Sequence, residues 1–265
     1  MLVFSETTAA KHTVEAIKID NRAIYDAKWQ SWLDMKMYGP ASRWLRALLR
    51  DHIKNLPNPE QVLSILDVGC GEGTVTDHLA RLMPQAQVTG VDFSETGIRC
   101  AADRYTEKNL RFLHDLASNE LNKPHDLVCA FEVLEHVEDW KDLLARMARS
   151  ARRFLLLSFP TGRMRPFEVH VGHHRNFRKG EVEKFLRSHG FREVRVFYAG
   201  FPFYSPIYRD LCNLTDSASN RFSTGTYGWR QRLVAGAFYG LFRFASTRYR
   251  LGDQFCGLFC RADVL

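Results

Sequence analysis

The chain has 265 residues, a length that suits one large α/β core with additional helices better than two full domains. Apolar residues make up 45% and charged residues 25% of the chain, which excludes collagen-like and mostly disordered proteins. The net charge of +7 is compatible with a nucleic-acid partner, an anionic membrane surface or simply a basic protein. Because the first residues lack a secretory signal and no apolar run is long enough to cross a membrane, we expect a cytoplasmic protein.

Two helical segments come first in the chain, over residues 23–37 and 41–55, and Gly39-Pro40 separates them. The first sixty residues contain no strand pattern, so we interpret residues 1–58 as a helical cap on the main domain. The first segment carries aromatic residues whose ordinary role is packing, namely Tyr25, Trp29 and Trp32.

Residues 63–92 have the pattern of a strand, a glycine-rich loop, a helix and a second strand, which is a βαβ unit. The alternation of strands and helices continues to about residue 158, and a helix that ends at Gly190 leads into one more strand. Such alternation predicts a doubly wound α/β fold, with a mostly parallel sheet between two layers of helices. We assign residues 59–203 to this core.

The last strand is predicted at residues 255–260 and is expected to run antiparallel at or near the edge of the sheet. Roughly fifty residues separate it from the preceding strand, which is far more than a hairpin needs. We therefore interpret residues 204–250 as a lid insertion and residues 251–265 as the last strand of the core. The insertion is basic, because the chain from residue 200 onward has eight arginines, four aspartates and no glutamate.

A glycine-rich loop directly follows the first strand. Asp67 precedes Gly69, Gly71 and Gly73, and glycines in this place let the chain turn sharply and let a ligand approach the backbone. Dinucleotide-binding proteins use a related loop with a different spacing of the last glycine. The spacing found here therefore disfavours nicotinamide cofactors.

Two more acidic residues stand at the ends of the next two strands. Asp92 ends the second strand, where its carboxylate could accept both hydroxyls of a ribose. Asp115 follows the third strand and could accept from an adenine amino group. Because the carboxyl ends of parallel strands meet at one edge of the sheet, we expect both residues to share a crevice with Asp67.

Three motifs together resemble those of one enzyme family. Ile65-Leu-Asp-Val-Gly-Cys-Gly-Glu-Gly73, Val91-Asp-Phe-Ser94 and Phe131-Glu-Val-Leu-Glu-His136 are similar to motifs of the class I S-adenosylmethionine-dependent methyltransferases. Within that family they resemble the small-molecule branch, of the type 11 or ubiquinone O-methyltransferase-like kind. The resemblance covers roughly residues 63–201 and implies a Rossmann-like fold with S-adenosylmethionine as the cofactor.

The resemblance also implies how single residues would bind the cofactor. Gly69 and Gly71 would cradle the methionine end, Asp92 would hold the ribose, and Phe93 would pack on the adenine. Asp115 with Leu116 would frame the far edge of the adenine, and Asp67 would organise the loop. The full expected set is Asp67, Gly69, Gly71, Gly73, Asp92, Phe93, Asp115, Leu116 and Phe131.

Two histidines near the expected crevice are candidates for catalysis. Alignment and exclusion of water can do most of the work of methyl transfer, and a base is needed only if the acceptor arrives protonated. His136 follows the fourth strand and His174 follows the fifth, so both segments leave the carboxyl edge of the sheet. We expect His136 to act as a base or to orient the acceptor, with His174 in the same pocket. The alternative is that His136 only forms local hydrogen bonds at the start of a helix.

The segment around His136 raises the question of a metal ion. Glu132, Glu135 and His136 stand at positions i, i+3 and i+4 and would share one face of a helical turn. With His174 they could bind a divalent metal, as in the ubiquinone-pathway O-methyltransferases and small-RNA 2′-O-methyltransferases that the segment resembles. Many metal-free small-molecule methyltransferases carry the same string, so we expect no metal and leave this alternative open.

The sequence thus predicts a methyltransferase that acts on an oxygen or nitrogen of a small aromatic or lipid-like acceptor. The alternatives are an RNA or protein methyltransferase, favoured by the positive charge, and a cofactor-binding module without catalysis. We expect a small-molecule acceptor as the partner and no nucleic acid. The apolar segment of residues 229–244, with its arginines, leaves peripheral membrane contact and a homodimer open.

Overall fold

A seven-stranded sheet forms the centre of the protein, in a computed structural model that describes residues 21–114, 119–214 and 225–264. The strands are β1 Ser64–Val68, β2 Gln87–Asp92, β3 Leu110–His114, β4 His125–Phe131, β5 Ala151–Pro160, β6 Phe191–Ala199 and β7 Gln254–Arg261. Their order across the sheet is β3-β2-β1-β4-β5-β7-β6. The first five strands run parallel, and β7 lies antiparallel between β5 and β6.

Helices cover both faces of this sheet. They are α1 Asn21–Tyr38, α2 Pro40–Ile53, α3 Thr74–Leu82, α4 Glu95–Arg104, α5 Trp140–Ser150, α6 Pro166–His170, α7 Glu181–Ser188, α8 Arg209–Leu214 and α9 Trp229–Ala245. One buried cluster joins the sheet to α2, α3 and α9 through Leu48, Leu79 and Phe242. A second cluster joins the other face to α5 and α7 through Leu144 and Leu186. The central strands are therefore buried on both sides, which explains their nearly continuous apolar sequences.

The doubly wound α/β class predicted from the sequence is confirmed, with an antiparallel last strand near the edge. The edge strand on that side is β6, and β7 fills the place between β5 and β6. The chain between these two strands contains a kinked turn, Phe203–Tyr208, in which Ser205 has an extended backbone, and then α8 and α9. Residues 215–224 of this segment lie outside the described part.

The sheet positions the candidate site at its carboxyl edge. The loops that leave this edge follow β1, β2 and β4, and α1 packs beside them. Asp115 and Leu116 were expected here too, but they lie outside the described residues. None of the described helices is both long enough and apolar enough to span a bilayer.

Candidate active site

The loop between β1 and α3 adopts a backbone conformation that favours glycine at three positions. Gly69, Gly71 and Gly73 have φ values of +73°, +55° and +83°. All three also have close neighbours: a Cβ atom would lie 2.5 Å from Val133 on Gly69, 2.4 Å from Trp29 on Gly71 and 2.8 Å from Ala101 on Gly73. The loop can therefore keep this conformation and its close packing against neighbouring side chains only with glycine at these positions.

Asp92 closes this loop from the end of β2. Its Oδ2 accepts from the backbone N–H of Gly71 at 2.8 Å, and its Oδ1 accepts from that of Ser94 at 2.8 Å. The side chain is almost fully buried yet lies on the wall of a cavity. Burial raises the pKa of Asp92, and the two amide hydrogen bonds oppose that rise. Two backbone amides therefore hold the Asp92 carboxylate in a fixed position at the wall of the cavity.

Asp67 lies at the base of the same loop. It is buried, and its carboxylate accepts from the Thr76 hydroxyl at 2.8 Å, which ties the start of the loop to α3. Burial is the main cause that raises the pKa of Asp67 to about 7, and the hydrogen bond from Thr76 works in the opposite direction. This carboxylate is therefore easily switched between its charged and neutral forms near neutral pH.

A cavity of about 1460 Å³ joins the loop to the helices around it. Asp67, Gly69, Asp92, Phe93 and Phe131 of the expected cofactor set all lie on its wall. The remaining wall is mostly apolar and comes from α1, α2, α6, the turn before α8, α8 itself, and α9 with the segment before it; its aromatic residues include Trp32, Phe167, Tyr204, Tyr208, Tyr227 and Phe238. Such a volume exceeds what one drug-sized ligand needs, so two ligands can occupy it side by side.

His136 faces this cavity from the short turn Leu134–His136 after β4. Its Nδ1 lies 3.0 Å from the carbonyl oxygen of Gly172, and its Nε2 lies 2.9 Å from the hydroxyl of Tyr25. Since a carbonyl can only accept, Nδ1 carries the proton and Nε2 accepts from Tyr25. Burial, assisted by the neighbouring His173, lowers the pKa of His136 to about 3. The imidazole is therefore neutral, with its lone pair at Nε2.

The histidine that packs against His136 is His173, whereas the sequence analysis selected His174. The rings of His136 and His173 meet edge to face, with centroids 4.6 Å apart, and His173 lies on the cavity wall. His174 is not among the described residues of that wall; its backbone N–H donates to the carbonyl of Glu135 at 2.8 Å. His174 thus supports the turn that carries His136, and its role in catalysis remains a prediction.

Among the described residues, three side chains could bind a metal together, namely Glu135, His136 and His173, each with one ligand atom within 4.8 Å of the others. Neither carboxylate oxygen of the buried Glu135 has a hydrogen-bond partner among the described residues. Glu132 is directed elsewhere, because it accepts from Ser158 and from Gln254 at 2.7 Å each. The donor set fits a divalent cation, but a cation at His136 Nε2 would have to displace the Tyr25 hydroxyl. Glu135 does not need a cation to balance its charge, because burial raises its pKa well above the usual value and the carboxyl group can be protonated instead.

Tyr25 is a site residue that the sequence analysis assigned to packing. Its hydroxyl reaches His136, and its ring packs edge to face on Phe93 with centroids 6.3 Å apart. Burial is the main cause that raises the pKa of Tyr25, so the hydroxyl keeps its proton. No local motif marks such a residue, because its importance depends on how α1 docks across the sheet edge.

The comparison with known families settles the class of the central region. Residues 65–153 match the family described as a methyltransferase domain. These residues form a methyltransferase domain. The resemblance based on the loop and strand-end motifs is thereby confirmed for this part of the chain.

The methyltransferase domain has relatives among curated proteins. Malonyl-acyl-carrier protein O-methyltransferase of Acetivibrio thermocellus is 32% identical over 124 residues, which cover 46% of this chain and 44% of the relative. Ubiquinone biosynthesis O-methyltransferase of Maricaulis maris is 38% identical over 96 residues, which cover 34% of this chain and 37% of the relative. The matched region spans less than half the length of these curated relatives.

Solved structures resemble a larger part of the chain. Magnesium protoporphyrin IX methyltransferase of Synechocystis PCC 6803, solved with bound S-adenosylmethionine, has a TM-score of 0.53 and 18% identity. The alignment covers 93% of this chain and 99% of that chain. The similarity therefore concerns the fold, and it extends beyond the methyltransferase domain to the surrounding helices.

Proposed function

We propose that this protein is an S-adenosylmethionine-dependent methyltransferase that transfers a methyl group to an oxygen or nitrogen of a small, largely apolar acceptor. The observation that carries the proposal is a cavity whose wall includes both the glycine loop with Asp92 and a broad aromatic surface. The cofactor and the acceptor must meet in a methyltransferase, and this single cavity has both a polar and an apolar region.

The cofactor fits the residues of the polar region. Gly69 and Gly71 would present their backbone to the methionine end, and a Cβ atom on either would clash with Val133 or Trp29 and distort the loop. Asp92, already held by two backbone amides, would accept the ribose hydroxyls, and Phe93 would cover the adenine. S-adenosylmethionine, when bound, supplies an electrophilic methyl group on a sulfonium. Its positive charge would favour the ionised form of Asp67 nearby.

The acceptor would occupy the region lined by aromatic residues of α1, of the turn before α8, and of α9 with the segment before it. His136 offers the lone pair of Nε2 to an acceptor hydroxyl or amine, and Tyr25 would yield its hydrogen bond to that group. Arg209 lies on the same wall, pairs with the buried Glu168 and keeps one nitrogen, Nη1, without a partner among the described residues. The two relatives named above are both O-methyltransferases, which favours oxygen as the methylated atom.

The organisation of the chain follows from this assignment. Residues 1–58 would serve as the cap, residues 59–203 as the cofactor-binding core, residues 204–250 as the lid and residues 251–265 as the last core strand. Tyr227 and Phe238, from the proposed lid, lie on the cavity wall together with Tyr25 and Trp32 from the proposed cap. A small-molecule reaction of this kind suits a cytoplasmic enzyme that needs no nucleic acid, either as a monomer or as a homodimer.

Calorimetry with S-adenosylhomocysteine and an assay of labelled methyl transfer test the proposal. The protein should bind the product cofactor, and Asp92→Ala should weaken that binding by about 2–3 kcal/mol because paired hydroxyls lose a charged acceptor. Unchanged affinity would contradict the assignment of the crevice. Binding without turnover on any small acceptor would favour a module without catalysis, and salt-dependent RNA binding with methyl transfer to RNA would favour the nucleic-acid alternative.

A further inference from the structure

The outward face of α9 is apolar along the whole helix. Trp229, Leu233 and Phe244 have 72%, 69% and 85% of their surface exposed, and Val234, Ala237 and Leu241 are exposed as well. At 100° per residue these six positions fall within an arc of about 140°. The opposite side of the helix carries Ala235 and Phe242, which are buried against the body of the protein. A surface helix normally turns polar residues outward, so α9 has a second apolar face that no other described residue covers.

Positive charge accompanies this face. α9 has three arginines and no acidic residue, and Arg230 is exposed within the apolar arc. The segment after the helix continues the pattern with exposed Tyr249, Arg250 and Leu251. Tryptophan, phenylalanine and leucine on one face, together with arginine and without carboxylates, are typical of helices that lie in the interface of an anionic bilayer.

The apolar face borders the candidate active site. Val234 is exposed on the outer surface and is also part of the cavity wall, and Phe238, one turn further along, lies on that wall too. Leu211 of α8 is likewise exposed and lines the cavity. The cavity therefore opens beside the apolar face, so an acceptor dissolved in a lipid phase could enter without crossing water.

We propose that α9 docks on an anionic bilayer surface, with Trp229, Leu233 and Phe244 inserted at the boundary of headgroups and acyl chains, and that the cavity takes its acceptor from the lipid phase. The proposal rests on the methyltransferase function for the source of the acceptor. The docking itself rests only on the exposed residues and on the charge of the helix. Exposed arginine side chains would contact lipid phosphates while the apolar arc loses its contact with water.

Co-sedimentation of the full chain with vesicles tests the docking. The protein should bind vesicles of phosphatidylcholine mixed with phosphatidylglycerol more tightly than vesicles of phosphatidylcholine alone, and added salt should weaken the binding. Leu233→Ser with Phe244→Ser should lower the partition coefficient about tenfold or more, because two bulky side chains no longer enter the bilayer. Leu63→Ser is the matched control, since Leu63 is an exposed leucine before β1, at the opposite edge of the sheet. Its partition coefficient should equal that of the unaltered protein.

Three results would overturn the proposal. The first is the absence of vesicle binding, and the second is binding that the double substitution leaves unchanged. The third is a dimer in sedimentation velocity that Leu233→Ser with Phe244→Ser converts to monomer, without vesicle binding, which would assign the face to a second copy. Calorimetry with S-adenosylhomocysteine is independent of these results, because the substituted side chains are not on the cavity wall. Vesicle binding without cofactor binding would therefore reject the proposed function and retain the docking.

Discussion

At the scale of single residues, His136 is held as a neutral imidazole by two fixed hydrogen bonds and by burial. A base whose pKa is about 3 removes a proton from a phenol or ammonium poorly by itself, so its main contribution is to orient the acceptor and receive its hydrogen bond. We expect His136→Ala to lower the turnover rate by roughly 10²-fold with little change in cofactor affinity, because the acceptor loses the group that orients it. The rate measured against pH should show no ionisation of His136 near its ordinary pKa of about 6.5.

A chelator provides the control for this role of His136. Both ring nitrogens already have partners, in Gly172 and Tyr25, so we expect turnover to continue after treatment with EDTA. Tyr25→Phe should then lower the rate less than His136→Ala, because it removes only a hydroxyl that the acceptor displaces from His136. Loss of activity with EDTA and its recovery with Mg²⁺ or Mn²⁺ would instead make Glu135, His136 and His173 a metal site.

Asp67 should make the stability of the cofactor-free protein depend on pH. Its pKa is about 7 in the folded state, against 3.8 for the ordinary side chain, so folding favours the protonated form. Stability is thus greatest below the ordinary pKa, falls as the pH rises through the window between the two values, and levels off above about pH 7. Asp67→Asn removes the ionisable group, so the variant should not lose stability through this group as the pH rises. In urea unfolding, the stability of the variant relative to the unaltered protein should be about 2 kcal/mol higher at pH 7 than at pH 5. An equal difference in stability between the variant and the unaltered protein at pH 5 and at pH 7 would contradict the buried, protonated state of Asp67.

At the scale of elements, the strands and helices of the core could be predicted because each repeats a local pattern. The βαβ unit carries glycines at the turn and apolar runs on both sides, and these features determine the backbone without reference to distant residues. The segment after β5 could not be predicted in the same detail. His173 and His174 are adjacent, and contacts with distant residues, such as the backbone hydrogen bond from His174 to Glu135, fix which ring reaches the cavity. Such a choice depends on tertiary contacts.

In α9, two phenylalanines that the sequence pattern does not distinguish have different positions in the structure. Phe242 is fully buried between Trp44, Tyr204 and Tyr208, whereas Phe238 lies on the cavity wall. We therefore expect Phe242→Ala to reduce stability by about 3–5 kcal/mol through an unfilled space in the core. Phe238→Ala should raise the KM for the acceptor more than it changes stability or the affinity for S-adenosylhomocysteine.

Thermal unfolding and acceptor kinetics on the two variants test this difference. The comparison is matched, because the substitutions are identical and stand one turn apart on the same helix. An unchanged acceptor KM in Phe238→Ala would contradict the placement of the acceptor beside α9.

At the scale of the whole molecule, α1 connects the parts that form the cavity. The Trp29 ring packs on Gly71, and Asp26 accepts a hydrogen bond from Ser94 after β2, so the helix contacts the cofactor loop and the next strand end. Asp34 accepts from the backbone N–H of Tyr227 at 2.7 Å, which links the same helix to the segment before α9. These contacts lie far apart in the chain, and for this reason the sequence predicted the helix but not its position.

This arrangement predicts that cofactor binding stabilises α1 against local opening. Displacing α1 would uncover the glycine loop, so a cofactor that needs the closed form should slow the exchange of the α1 amide hydrogens. At about 100 times its Kd, S-adenosylhomocysteine should slow that exchange up to about 100-fold, as measured by mass spectrometry. α7 packs on the far side of β6 and serves as the internal reference, with unchanged exchange. In the unaltered protein the protection should extend to the start of α9, and Asp34→Ala should weaken that extension; the backbone hydrogen bond from Gly225 to Ser31 and the stacking of Arg232 on Tyr38 remain. Binding in the calorimeter without any protection of α1 would mean that the cofactor site forms independently of this helix.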